Sequence, residues 1–237
     1  MFCCCNAEAQ NKTSYVKLVG VLDESDPQYD EGFAGDCEVG GCTLIAPERV
    51  HMVGASKANI LAGPATPFLV ELDRGALTTP FGWRLDFLDK ETLFVCGLVP
   101  EPTSVVNRYN MSAPAHRRIE EGDFIVSVNE IVRDSANMAT ILKEQVTVEV
   151  LVQRPLKFRV VVDKHGESVG LDVSFSLLGN NLLVEGIQEG AVRSRASDMR
   201  VGDRIVSICG VTGSSSALLR AMQEHDPLEL ECVRLAA

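Results

Sequence analysis

Residues 119–133 read Ile-Glu-Glu-Gly-Asp-Phe-Ile-Val-Ser-Val-Asn-Glu-Ile-Val-Arg, and residues 199–211 read Met-Arg-Val-Gly-Asp-Arg-Ile-Val-Ser-Ile-Cys-Gly-Val. The two phrases share one grammar: an apolar residue, two free positions, Gly-Asp, a free position, Ile-Val-Ser, then an apolar residue. A phrase written twice says that one structural unit was built twice. The copy extends upstream, where residues 70–75 match 160–166, residues 81–87 match 169–175 and residues 93–99 match 182–187. It also extends downstream into a helix-like stretch and an alternating one in each copy. Gly122 and Gly202 are 80 residues apart, and Gly82 and Gly170 are 88 apart. That spacing is the size of a small domain, not of a solenoid repeat.

The 237 residues therefore divide into an N-terminal region at 1–65, a unit at 66–153 and a unit at 156–235. The joint Gln153-Arg154-Pro155 is very short, which keeps the two units near one another. Units this small bury only about 60% of the surface their unfolded chains expose, so each is modestly stable alone. Apolar content of 46% is ordinary for a globular chain. A formal net charge of −11 speaks against nucleic acid as a partner, where a basic stripe is expected. No run of 18 apolar residues is present to span a bilayer, and no basic segment precedes an apolar core as in a secretory signal. Of the eight cysteines, Cys96, Cys209 and Cys232 sit singly inside strand-like apolar runs. They read as small core residues in a reducing compartment, with the cytoplasm as the expected location.

Local patterns set the elements. Phe68–Leu72, Trp83–Leu88, Leu93–Val99, Phe124–Val128 and Val146–Val152 are strand candidates in the first unit, with Leu228–Val233 closing the second. Ser135–Gln145 carries Met138, Ile141 and Leu142 at helical spacing, with Asp134 or Ser135 as cap. A second helix carries Leu218, Leu219 and Met222 behind Ser214 or Ser215. Upstream, Tyr15–Leu22 alternates like a strand, Asp23–Asp36 reads as an acidic loop, and Gly63–Pro67 reads as a linker.

In this order the chain resembles the PDZ domain family over about 170 of its 237 residues. The resemblance rests on two short loops, Pro80-Phe81-Gly82-Trp83 and Ser168-Val169-Gly170-Leu171, each followed by a Gly-Asp strand and a capped helix. It implies a mainly β fold with α (α+β): two tandem, small, partly open β-barrels or sandwiches, each with about five to six strands and one or two helices. It also implies a scaffold or adaptor that is not an enzyme and needs no cofactor, metal or small-molecule substrate. Its partners would be short C-terminal, or internal, protein peptides that add a strand to the sheet edge. Backbone amides of Phe81, Gly82 and Trp83, and of Val169, Gly170 and Leu171, would converge on a terminal carboxylate, with glycine allowing the tight curl. Arg84, Leu85, Asp172 and Val173 continue the two binding strands. By the same alignment Ser135 and Ser215 face the peptide residue two before its end, and Ala139 and Leu219 line the groove one turn on. Many family members carry histidine at the serine position, and neither unit does. Trp83 is larger than the usual residue and narrows or fills the first pocket. Arg74 and Lys164 precede the loops as carboxylate-attracting cations.

Outside the repeats, Cys3, Cys4 and Cys5 form a run of accessible thiols. Phe2 in place of glycine excludes N-myristoylation. Acylation of two such cysteines suffices for stable anchoring, which would place the chain on the cytoplasmic face of a membrane. Three adjacent cysteines are poorly spaced for a zinc site. The alternatives to an adaptor are a regulatory unit that assists a catalytic partner, and a structural tandem with closed grooves that dimerises.

Overall fold

A computed structural model describes residues 16–17, 57–63, 66–176 and 179–236, the first pair as backbone. The described residues form thirteen strands, arranged in two antiparallel sheets, and four α-helices, so the fold is mainly β with α. The first sheet is built from β3 (Phe68–Asp73), β4 (Trp83–Asp86), β5 (Leu93–Leu98), β6 (Phe124–Val128), β7 (Ile131–Val132) and β8 (Thr147–Gln153). Its order is β3-β8-β6-β5-β4, with β7 on β6. The second sheet runs β1-β10-β11-β12-β13-β9-β2. Here β9 is Leu156–Val162, β10 Leu171–Ser174, β11 Leu182–Ile187, β12 Arg204–Ile208 and β13 Leu228–Arg234. Its two outer strands, β1 (Val16–Lys17) and β2 (Asn59–Ala62), come from the N-terminal region. Among the described residues, that region thus supplies strands to the second sheet, a placement that the linker reading of the chain did not anticipate.

Each sheet folds over its own core. The first core gathers Val70, Leu72, Leu93, Val95, Ile125, Val148 and Val150 under α2 (Ser135–Glu144), which contributes Met138 and Leu142. The second gathers Val160, Val162, Leu182, Val184, Ile205 and Leu230 under α4 (Ser215–Glu224), which contributes Leu218 and Met222. Both helices start as the sequence predicts. Asp134 Oδ1 accepts from the Asn137 amide at 3.0 Å, and Ser214 Oγ from the Ala217 amide at 3.2 Å, each satisfying an otherwise orphaned donor of the first turn. Two short helices, α1 (Val105–Ser112) and α3 (Ala191–Arg195), bring each unit to two, within the one or two expected, although local patterns did not locate them. Cys209 also departs from the core reading. It is half-exposed with φ of 50°, in the turn after β12, whereas Cys96 and Cys232 are buried.

The two units share a third apolar cluster. Leu93 and Val95 of β5 face their own core, while Phe94 and Cys96 on the opposite face meet Phe124 and Val233. A strand buried on both faces reads as a continuous apolar run instead of alternating, and Leu93–Cys96 does. Into this contact β12 inserts Arg204, whose side chain has no exposed surface. Its guanidinium lies 4.5 Å from the Phe94 ring centroid and 5.8 Å from that of Phe124. Nη1 donates to Asp86 Oδ1 at 2.6 Å and to Asn181 Oδ1 at 3.0 Å, and Nη2 to Asp89 Oδ2 at 3.0 Å. Asn181 donates in turn to Asp86 Oδ2 at 2.7 Å. Asn180 crosses to the first unit as well, donating to the Cys96 carbonyl at 2.7 Å and to Glu121 at 2.8 Å.

Candidate functional site

In each unit a glycine loop leads into a short strand, and a helix is tied alongside that strand at both ends. The ties define the site. In the first unit the Ser135 amide donates to the Lys90 carbonyl at 3.1 Å, fixing the start of α2 to the turn after β4. At the far end Arg74 donates to the Lys143 carbonyl at 2.7 Å, fixing the end of α2 to the loop before β4. The second unit repeats the plan. The Ser215 amide donates to the Gly179 carbonyl at 2.9 Å, and Lys164 Nζ donates to the carbonyls of Met222 and Gln223 at 3.4 and 3.2 Å. Cations at the last turn of a helix satisfy free carbonyls and oppose the helix dipole. Arg74 and Lys164 are thus helix anchors. Arg74 is 8% exposed and also lies 5.0 Å above the Phe81 ring.

The loops themselves are held by their carbonyls. The carbonyls of Pro80 and Phe81 accept from Val105 and Val106 at the start of α1, and those of Ser168 and Val169 accept from Ala191 and Val192 of α3. Gly82 accepts from the Val99 amide, and Gly170 from the Gln188 amide, each at 2.9 Å. The amides of Phe81, Gly82, Val169 and Gly170 have no partner among the described residues. Trp83 is opposite Leu98, one place after the bonded pair Gly82 and Val99, so antiparallel alternation turns its N–H away from β5. Leu171, opposite Ile187, is turned outward by the same alternation. Both glycines are required: φ is +85° at Gly82 and +74° at Gly170. A Cβ at Gly170 would also meet the Glu189 carbonyl oxygen at 2.9 Å, and one at Gly82 would run into Ser104.

A glycine loop with unpaired amides, a short strand and a helix tied beside it occur twice in one order; the outer edge of β4 is free among the described residues, whereas that of β10 is taken by β1. The arrangement is similar to the plan that the sequence resemblance implies for each unit. Two solved structures of a tandem PDZ-like protein match the chain: "INAD PDZ45 in complex with NG2 peptide" and "INAD PDZ45 and NORPA CC-PBM". Each is 16% identical with a TM-score of 0.32 and covers 74% of this chain; the match spans 93% of the first and 94% of the second. No protein-family description and no curated protein matches the chain.

Each expected contact residue has a defined place in its unit. Phe81 is buried and stacks on half-buried Trp83, with ring centroids 5.4 Å apart. Trp83, Leu85 and Ala139 pack against the first core from its rim. Val169, Leu171 and Val173 are buried in the second core, and Leu219 lies at its rim. Arg84 and Asp172 alternate to the other face of their strands. Arg84 lies over Gly97 and lines a crevice of about 760 Å³ between the units, and Asp172 accepts from Gln188 Nε2 at 2.6 Å. Ser135 and Ser215 are buried, and the Ser215 hydroxyl donates to the Asn181 carbonyl at 3.0 Å, so this serine braces the helix start from inside. Cys3, Cys4 and Cys5 lie outside the described residues. Among those described, no helix is long and apolar enough to cross a membrane.

The repeated aspartates fix turns. Asp123 Oδ2 accepts from the Glu120 amide and Asp203 Oδ2 from the Arg200 amide, both at 2.8 Å. Burial pushes the Asp123 carboxyl up to about 6, against the pull of that amide and of Arg154. Sequence reading missed the Arg204, Asp86 and Asn181 cluster altogether. The available signal was the free position of the repeated phrase: phenylalanine at 124 in one copy, arginine at 204 in the other, and those two residues touch.

Proposed function

We propose that residues 66–153 and 156–235 are two peptide-binding units of a non-enzymatic adaptor, each taking a short C-terminal or internal peptide as an added strand on β4 or β10. The observation that carries the reading is the set of unspent loop amides beside a positive-φ glycine at the head of each strand. Amides curled around one point make a cradle for an anion without adding bulk. Each hydrogen bond to a carboxylate contributes about 1.5–3 kcal/mol, and an apolar terminal side chain in the pocket beneath adds about the same. After association costs, a Kd in the micromolar range is expected. Trp83 makes the first pocket shallow, which favours a small apolar terminal residue there. The buried serines at the helix starts leave no histidine to select a Ser or Thr ligand.

A peptide array presenting each sequence with a free and an amidated C-terminus tests this. Capture of free termini that amidation weakens at least tenfold supports the cradle. Equal binding of both forms, or of neither, removes it. The same reading places acyl chains on Cys3, Cys4 and Cys5, holding the adaptor on a cytoplasmic membrane surface by two or more chains. Hydroxylamine-sensitive labelling that survives replacement of all three by serine would count against that anchor.

A further inference from the structure

We infer that the strand-addition edge of the second unit is held in cis by the chain's own segment around Val16 and Lys17, an internal ligand, and that the β4 edge serves outside partners. The inference rests on the strand-addition reading and names the partner of one of its two sites. Strand β1 pairs antiparallel with β10, Val16 opposite Val173 and Lys17 opposite Asp172. This is the outer edge of β10, since the inner edge is taken by β11. The occupant is internal, because the chain continues through Leu18 and beyond. It therefore brings no terminal carboxylate to the Val169–Leu171 loop, and its attachment is main-chain pairing along β10.

The return of the same segment is a second, independent observation. Strand β2 pairs with β9, Asn59 opposite Arg159 and Ile60 opposite Phe158, at the opposite edge of the same sheet. The Ala58 amide donates to Asp198 Oδ2 of the second unit at 2.7 Å. Residues 18–58 thus connect two strands docked on one unit, although the covalent neighbour of β2 is the first unit. A leash with its far end fixed on the target keeps the near end at an effective concentration on the order of 1 mM. For a main-chain contact with a Kd near 0.1 mM, that suppresses a competing peptide about tenfold.

Among the described residues the first sheet has no such cover. Its β3 edge is guarded by side chains: Arg117 donates to the Leu69 carbonyl at 2.6 Å and Arg108 to the Asp73 carbonyl at 3.1 Å. No strand is added to β4 among the described residues. Uncovered edges are where another chain can pair, and this fold leaves that opening on the first unit.

The test uses the full chain and a doubly substituted variant, Val16→Pro with Lys17→Pro. Proline removes the amide and cannot serve a ladder. The probe is a peptide of residues 12–22, acetylated and amidated. Supporting results are at least tenfold tighter probe binding by the variant, shift perturbations at Leu171–Ser174, and faster amide exchange along β10. Unchanged β10 exchange together with unchanged probe affinity overturns the inference, even where free C-terminal peptides still bind at the first unit and the adaptor reading stands. If β10 exchange is released while no C-terminal or internal peptide binds either protein, the cis strand stands and the adaptor reading falls.

Discussion

Asp123 and Asp203 show how one residue, copied into two settings, takes on two energetic characters. Both carboxylates accept the amide three residues earlier and fix the turn that opens the fourth strand of each unit. Asp203 also receives Arg234 through two bonds of 2.6 and 2.8 Å, a bidentate pair. Asp123 has Arg154 only at 3.7 Å, and that guanidinium leans on Glu120 at 3.1 Å as well. Burial therefore dominates at Asp123 and lifts its carboxyl to about 6 from the usual 3.8. A carboxyl raised in the folded state favours folding most below its unfolded value, and that contribution is lost as pH rises through the folded one. The first unit should gain on the order of 2 kcal/mol between pH 7.5 and pH 4 from this group alone. Urea titrations of wild type and Asp123→Asn across that range isolate the contribution. Their difference in stability should follow a single titration centred between about pH 4 and 6. A pH-independent difference would mean that burial does not raise the Asp123 carboxyl.

At the level of elements, short apolar runs mark most strands of the first unit and the repeat carries them to the second, and the capped helices begin where the capping residues lie. The loop glycines were also legible, because a positive φ at the head of a strand leaves few other choices of residue. The failures have physical causes. Helix α1 opens on Val105-Val106, a β-branched pair that local propensity assigns to a strand, and it forms because those two amides are needed by the carbonyls of Pro80 and Phe81. Its counterpart α3 starts at Ala191 directly behind Gly190, where a Cβ would strike the Ser168 carbonyl oxygen, so the two helices do not look alike as sequence. Strand β1 was visible as alternation over Tyr15–Leu22, yet alternation says nothing about which edge a strand will join. Arg84 and Asp172 were assigned to the site by position along the strand. The pleat then put their side chains on the face away from the helix, and parity alone could have told this. The serines at 135 and 215 open α2 and α4, but the helices are pulled in close at their starts and the hydroxyl of Ser215 is consumed by the Asn181 carbonyl.

Across the whole molecule, the two copies are made into one body by the positions at which they differ. Phe124 and Arg204 occupy the same place in the repeated phrase, and so do Asp86 and Ser174; Phe124, Arg204 and Asp86 meet at the contact. Arg204 is stacked against two rings and paired with Asp86 and Asp89, while its Nε has no partner. A buried pair of this kind is not a large net source of stability compared with an apolar core, but breaking it is costly because one charge is left stranded. Arg204→Met keeps much of the packing and strands Asp86, and should cost about 3–5 kcal/mol. Asp86→Asn combined with Arg204→Met removes both charges and should cost clearly less than the sum of the single changes, a coupling of about 1–3 kcal/mol. If the contact joins the units, wild type unfolds in urea as one cooperative transition, and Arg204→Met splits it into two with smaller individual slopes, since each unit then exposes its surface separately. Small-angle scattering of the variant should show a wider distribution of inter-unit arrangements under native conditions. Two transitions already present in wild type, at the same midpoints as in Arg204→Met, would show that the copies fold independently and that the buried arginine serves the second unit alone.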